Sequence, residues 1–234
     1  MNKLKTIGLI GGLTWESTVE YYKIINEITH RKLGERHSAS MLIGSFDFNY
    51  INEMMSNGQW DEIAKEISIM AQKLERSGAD CILICCNTLH KVANEVSKSL
   101  GKARLINIID VIGEAIVQKQ INKIGLLGST FTMELPFYKE HLSYNFDIYS
   151  IIPSPTERTF IMNTIEKELG VGEINSESKD KFLEIINNLV EKGAEGIILG
   201  CTEIPLLLQQ KDTLTPLFDS TYLHSQAAVE FSLK

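Results

Sequence analysis

The sequence predicts an α/β protein of two similar halves, each a mainly parallel sheet between layers of helices. Three observations predict it. Short, flat apolar runs alternate with segments of helical period, as in a parallel sheet whose strands are buried on both faces. The opening run Lys5-Thr-Ile-Gly-Leu-Ile-Gly-Gly12 returns in type and order as Lys123-Ile-Gly-Leu-Leu-Gly128. Gly8 lies 78 positions before Cys86 and Gly125 lies 76 before Cys201, so both halves reach the same feature at nearly the same distance.

Each element has its own signal. Lys5–Ile10 reads as the first strand and Gly11-Gly12-Leu13-Thr14 as the loop after it. Trp15 to about Lys32 carries apolar residues at Val19, Tyr22, Ile25 and Ile28, a helical period, with Trp15 placed in the core or an interface. Ser40–Phe46 is the second strand, 49–58 a loop or broken helix, and Asp61–Ser77 an amphipathic helix stopped by Gly78. The run Cys81-Ile-Leu-Ile-Cys85 is a strand ending at Cys86, followed by a helix over 89–100 and the apolar run Arg104–Ile109. In the second half, Lys123–Gly128, Phe146–Ile152 and Gly196–Gly200 are strands. Thr132–Leu142, Glu157–Leu169 and Lys179–Lys192 are helices. The tail, Thr215–Asp219 and then a helix to Lys234, is expected to return to the first half. The domains are therefore expected at 1–98 plus 214–234, carrying Cys86, and at 99–213, carrying Cys201. Both cysteine-bearing edges are expected to face one cleft.

Composition narrows the function. The net charge is −7 and no basic patch with interleaved aromatics occurs, which argues against nucleic acid. No run approaches the roughly 18 apolar residues of a membrane span, and no signal-peptide pattern opens the chain. A cytoplasmic protein with no membrane association is the expectation. The cysteines are Cys81, Cys85, Cys86 and Cys201, three of them in one run, with no CxxC and scattered histidines. This suits neither a disulfide framework nor a zinc site, and no metal or other cofactor is expected. Gly11-Gly12 has neither G-x-G-x-x-G nor a G-K-[ST] ending, so a nucleotide loop is not supported.

Cys86 and Cys201 each fall at the carboxyl end of a strand and the start of a helical segment, where open α/β sheets bind ligands and a thiol's pKa is lowered. Cys86 alone would read as a buried core thiol; the matched Cys201 and the polar residues after each reverse that reading. Two such thiols suit proton exchange at a carbon beside a carboxylate: one thiolate removes the proton and one thiol returns a proton on the opposite face. Asn87, Thr88 and Thr202 could hold the carboxylate and the developing enolate. His90 could tune Cys86 or simply bond its neighbours at the helix start. Lys167 reads first as a solvated lysine, Arg158 as a surface ion pair, and Glu16 as a stabiliser of the first helix dipole.

The segments Gly8-Leu-Ile-Gly-Gly-Leu-Thr-Trp-Glu-Ser-Thr18, Cys86-Asn-Thr-Leu-His90 and Gly200-Cys-Thr-Glu203 resemble the aspartate/glutamate racemase superfamily, over essentially the whole chain. The resemblance implies a PLP-independent amino-acid racemase of two α/β/α domains, related by a pseudo-twofold, with the active site in the interdomain cleft. It implies Cys86 and Cys201 as the acid/base pair, and Leu13, Thr14, Asn87, Thr88 and Thr202 as binders of the substrate's carboxylate and amine. His90 and Glu203 are candidates for support. Such relatives are often dimers, so a homodimer is expected.

Two departures bear on the substrate. Aspartate-specific relatives carry an Arg in the loop after the second strand, but here no Lys or Arg occurs between Arg36 and Lys65. They also carry a Lys late in the helix over about 157–169, where this chain has Gly170, with Lys167 one helical turn earlier. Lys167 is the substitute the resemblance suggests. Aspartate is the first choice of substrate, with glutamate or broader polar amino acids next. The rivals are a hydantoin racemase, a maleate isomerase using a cysteine nucleophile, and a two-domain amino-acid-binding protein.

Overall fold

The structure, a computed structural model, describes residues 4–234. The chain divides into two compact units: the first takes the chain up to Ile108 and again from His224, and the second is Ile109–Leu223.

In the first unit, β1 (Ile7–Gly11) leads through α1 (Trp15–Leu33) to β2 (Met41–Ser45). Then α2 (Phe48–Ser56) and α3 (Trp60–Arg76) lead to β3 (Cys81–Ile84), and α4 (Ala93–Ser99) to the short β4 (Arg104–Leu105). The sheet is parallel with order β2-β1-β3-β4. β1 and β3 are buried at every residue, which is why their sequences are flat apolar runs. α3 shows the complementary pattern: Ile63, Ile67, Ala71 and Leu74 are buried, with Asp61 and Glu62 in its first turn and Lys73 and Arg76 in its last.

The second unit opens on α5 (Ile108–Gln118) and runs β5 (Lys123–Gly128), α6 (Thr130–Glu134), α7 (Pro136–Phe146), β6 (Tyr149–Ile151) and α8 (Pro155–Lys167). It continues with α9 (Ser176–Glu191), β7 (Gly196–Gly200), α10 (Ile204–Leu207) and β8 (Leu217–Asp219), before α11 (Ser220–Ser232) carries the chain back into the first unit. Its sheet is parallel with order β6-β5-β7-β8, the topology of the first. The core of this unit gathers Leu127, Ile161, Phe182, Ile186, Ile197 and Leu199, among others, between sheet and helices.

Several expectations change. Residues 49–58 are mostly helix: Asp47 caps α2 by accepting from the Asn49 N–H, and Ile51, Met54 and Met55 share its buried face. The run 104–109 is a strand for only two residues; Ile108, Ile109, Ile112 and Ile116 then recur at helical spacing along α5, which the sequence reading did not place. The helix expected over 132–142 is two helices, because Pro136 holds Leu135 extended. On α1 the buried residues are Ser17, Thr18, Tyr21, Ile25, Ile28 and Thr29, whereas Val19 and Tyr22 are exposed and Trp15 is 67% exposed, outside the core. Residues 215–219 stay with the second unit, since Leu217–Asp219 pairs with β7 rather than with the first sheet.

Glycine is required where the loop after β1 turns under the end of β2. Gly12 has φ +70°, and a Cβ there would collide with the Phe46 backbone. Gly58 has a similar φ of +68° but opens onto empty space. Gly58→Ala should therefore cost about 1 kcal/mol, the price of the backbone conformation alone. Gly12→Ala should cost at least twice that, and paired urea denaturation curves compare the two.

Candidate active site

The parallel topology marks one place in each sheet. The chain leaves β1 toward β2 on one side and later enters β3 on the other, so the crevice at their carboxyl ends is a topological switch point. The loops meeting there are Gly12-Leu13-Thr14 after β1 and Cys86-Asn87-Thr88 after β3. In the second sheet the switch lies between β5 and β7, and the loops are Ser129-Thr130 and Cys201-Thr202-Glu203.

The first edge is tied together through the start of α1. The Gly12 N–H donates to Thr18 Oγ1 at 2.8 Å, and that hydroxyl donates to the Thr14 carbonyl at 3.1 Å. Thr14 caps α1 by accepting from the Ser17 N–H. Ser17 Oγ in turn donates to the Cys85 carbonyl at 2.9 Å, fixing the helix start to the end of the cysteine strand. Leu13 is buried and Thr14 half-buried. Beyond β3, the Cys86 N–H donates to the Ile84 carbonyl at 2.8 Å. The Cys86 carbonyl accepts from His90 Nδ1 at 2.9 Å. Asn87, Thr88 and His90 are buried, whereas Cys86 itself is half-buried. The segment after it, Thr88–Val92, is a 3-10 turn that passes into α4 at Ala93, not the single helix expected over 89–100.

The second edge presents a different partner. Cys201 and Thr202 are half-buried, and both donate to the same oxygen of the buried Glu203 carboxylate: Cys201 Sγ at 2.9 Å and Thr202 Oγ1 at 2.8 Å from Oε2. Ser129 caps α6 through the Thr132 N–H. Lys167 is the exposed last residue of α8. The turn after it, Leu169–Val171, packs on α10, the helix that follows Cys201. Arg158 is engaged elsewhere, donating to Glu134 and to the Pro153 carbonyl.

The other two thiols are sealed in β3 and its end. Burial, then the Asp80 charge, pushes Cys81 up to about 12, against a smaller opposing effect of Lys5. Burial, then Cys86, raises Cys85 well above the ordinary thiol value. None of the four cysteines forms a disulfide. Among the described residues, no group of three or more His, Cys, Asp or Glu side chains could hold a metal ion. Nor, among them, is any helix long and apolar enough to cross a membrane.

The sequence reading missed two residues joined to His90. His224, on α11, is fully buried, and its Nε2 lies 2.8 Å from the Ile106 carbonyl. Its Nδ1 lies 2.8 Å from the Tyr21 hydroxyl, and its ring stands edge-on to that of His90, centroids 5.5 Å apart. No local pattern announces this, since Tyr21 and His224 are 203 positions apart.

The family model for Asp/Glu/hydantoin racemases matches residues 10–228. The chain belongs to that family. It is 40% identical to a Yersinia pestis protein provisionally described as an Asp/Glu racemase, with a TM-score of 0.92 over 99% of this chain and all of that one. It is 32% identical to an aspartate racemase homologue from Pyrococcus horikoshii OT3, with a TM-score of 0.87 over 99% of this chain and 100% of that one. It is also 24% identical over 156 residues to the glutamate racemase of Actinobacillus pleuropneumoniae serotype 3, a match covering 66% of this chain and 57% of that enzyme. Family membership and the paired sheets agree with the α/β architecture expected from the sequence.

Two measurements test the electrostatics. At mildly alkaline pH, iodoacetamide should label Cys86 and Cys201 at least tenfold faster than Cys81 and Cys85, read by peptide mass mapping, because burial withholds both access and thiolate from the latter pair. His224 supplies the second. Burial first, then His90, pushes it from 6.5 down to about 3, against the opposing bond to Ile106. The unfolded chain thus takes up this proton before the folded one. The contribution is complete above about pH 6.5 and is lost as pH falls from there toward about 3, at up to about 1.4 kcal/mol per pH unit. Urea midpoints measured from about pH 7 to about pH 4 should fall, and His224→Gln should flatten the slope.

Proposed function

We propose that this chain is a PLP-independent amino-acid racemase that exchanges the α-proton between Cys86 and Cys201. The observation that carries the reading is the matched placement of two half-buried thiols, one at the switch point of each sheet, while the other two cysteines are buried. In the reaction, the thiolate of one cysteine takes the α-proton and becomes a thiol. The electron pair left on the α-carbon delocalises into the carboxylate as an enolate. The other thiol delivers its proton to the opposite face and becomes the thiolate, ready for the reverse direction. Leu13, Thr14, Asn87, Thr88 and Thr202 hold the α-carboxylate and amine, and Lys167 is the candidate for a side-chain carboxylate.

Glu203 separates the two thiols chemically. Its carboxylate accepts from Cys201 Sγ, which favours the protonated thiol there. The matching position after Cys86 is Thr88, which brings no negative charge. On this geometry Cys201 is the proposed proton donor and Cys86 the proposed acceptor for one direction of the exchange. Aspartate is the proposed substrate. One observation favours a broader polar range: α2 presents Asn49, Asn52 and Glu53 at its exposed surface, and no cation. The same reading takes the protein as cytoplasmic and homodimeric.

Proton NMR of L-aspartate, L-glutamate and other L-amino acids in D2O should show loss of the α-proton signal for at least one of them, with the D-enantiomer appearing on chiral chromatography. Dialysis and EDTA should leave the rate unchanged. Cys86→Ser and Cys201→Ser should each slow racemisation by about 100-fold or more. No exchange with any amino acid would discard this proposal in favour of maleate or hydantoin as substrate, or of ligand binding without turnover. Glu203→Gln removes the charge beside Cys201 and should speed alkylation of Cys201 relative to Cys86.

A further inference from the structure

We propose that His90, His224 and Tyr21 form a buried positioning relay that holds the Cys86 thiol in place; the proposal rests on Cys86 being a catalytic thiol. The hydrogen bonds assign the protons. A carbonyl oxygen only accepts, so His90 carries its hydrogen on Nδ1, facing the Cys86 carbonyl. His224 likewise carries its hydrogen on Nε2, facing the Ile106 carbonyl, and its Nδ1 accepts from the Tyr21 hydroxyl. With both nitrogens engaged, the His224 ring is immobile. The His90 ring stands edge-on to it at 71°, so the one ring fixes the orientation of the other.

The consequence falls on the backbone of the thiol. The peptide before Cys86 is held by its N–H to Ile84, and the peptide after it by the bond from His90. With both peptide planes fixed, the Cα–Cβ direction is fixed, and only side-chain rotation remains to Sγ. His90 is thus a positioning residue, not a proton carrier in the reaction. α11 contributes through His224, although the chain reaches it only after leaving the second unit.

Alkylation by iodoacetamide tests this without any substrate. His90→Phe keeps a ring against His224 but removes the donor. It should slow labelling of Cys86 at least fivefold while Cys201 keeps its rate within about twofold. His90→Asn, whose amide nitrogen can take the place of Nδ1–H, should restore most of the rate. Tyr21→Phe deletes a single hydroxyl and should slow Cys86 in the same direction by at least twofold. Cys81 and Cys85 serve as internal controls, because their labelling reports unfolding; if His90→Phe exposes them, Tyr21→Phe decides. Where turnover is found, these variants should lower kcat with KM little changed. An unchanged Cys86 rate in folded His90→Phe and Tyr21→Phe overturns the relay, whatever the turnover. A shifted Cys86 rate in a protein that racemises no amino acid keeps the relay and removes the racemase reading.

Discussion

Close parallel pairing of a central strand with a neighbour on each side is the constraint on which both thiols depend. Each unit places its cysteine strand directly beside its opening strand, β3 beside β1 and β7 beside β5. Such a strand has no solvent face, so it must be apolar throughout, and its first polar atoms come where the ladder ends. The chemistry therefore collects at the carboxyl edge. Glycine permits the approach: a Cβ on Gly200 would lie 2.8 Å from the Leu127 carbonyl, and one on Gly128 would lie 2.9 Å from that of Gly200. The residue before Cys201 is thus set by its neighbour's backbone.

Reaching the edge separates Cys86 from Cys85. The two are adjacent, yet Cys85 is fully buried and Cys86 half-buried. Cys85 still belongs to the ladder, its N–H donating to the Ile10 carbonyl, whereas the Cys86 N–H turns back to Ile84. One residue of additional chain converts a thiol whose ionisation is suppressed by burial into one that solvent reaches.

Much of this was legible in the sequence, because strand burial and the paired glycine-rich openings act locally. The central strands lie where flat apolar runs place them, and the motifs ending in Cys86 and Cys201 fall at the ends of β3 and β7. What was not legible depends on long-range contact. The buried face of α1 includes Ser17 and Thr18, whose hydroxyls are satisfied by Cys85 and Thr14, while apolar Val19 and Tyr22 are exposed. Hydropathy alone assigns that face wrongly. The strand Leu217–Asp219 goes to the second sheet because β7 still has an open edge, a fact of topology that no run of residues records. The pairing of Tyr21 with His224 is of the same kind.

Racemisation is symmetric in its overall free energy, since the two enantiomers are equally stable, but the groups that catalyse it need not be. The proposed exchange needs one proton shared between two thiols, and something must decide which of them donates. The chain repeats its opening strand, its glycines and its cysteine in both units, then departs from the repeat directly after the cysteine, with Asn87-Thr88 in one and Thr202-Glu203 in the other. A carboxylate accepting from Cys201 Sγ biases the proton toward that sulfur. In the proposed exchange the bias is useful only while it is modest, because the same carboxylate opposes the thiolate that Cys201 would become after giving up its proton. Here Thr202 shares the accepting oxygen. The Thr202 hydroxyl thus competes with the thiol for the same acceptor oxygen. In the proposed exchange the Cys-Thr-Glu sequence would supply both the asymmetry and its restraint within three consecutive residues.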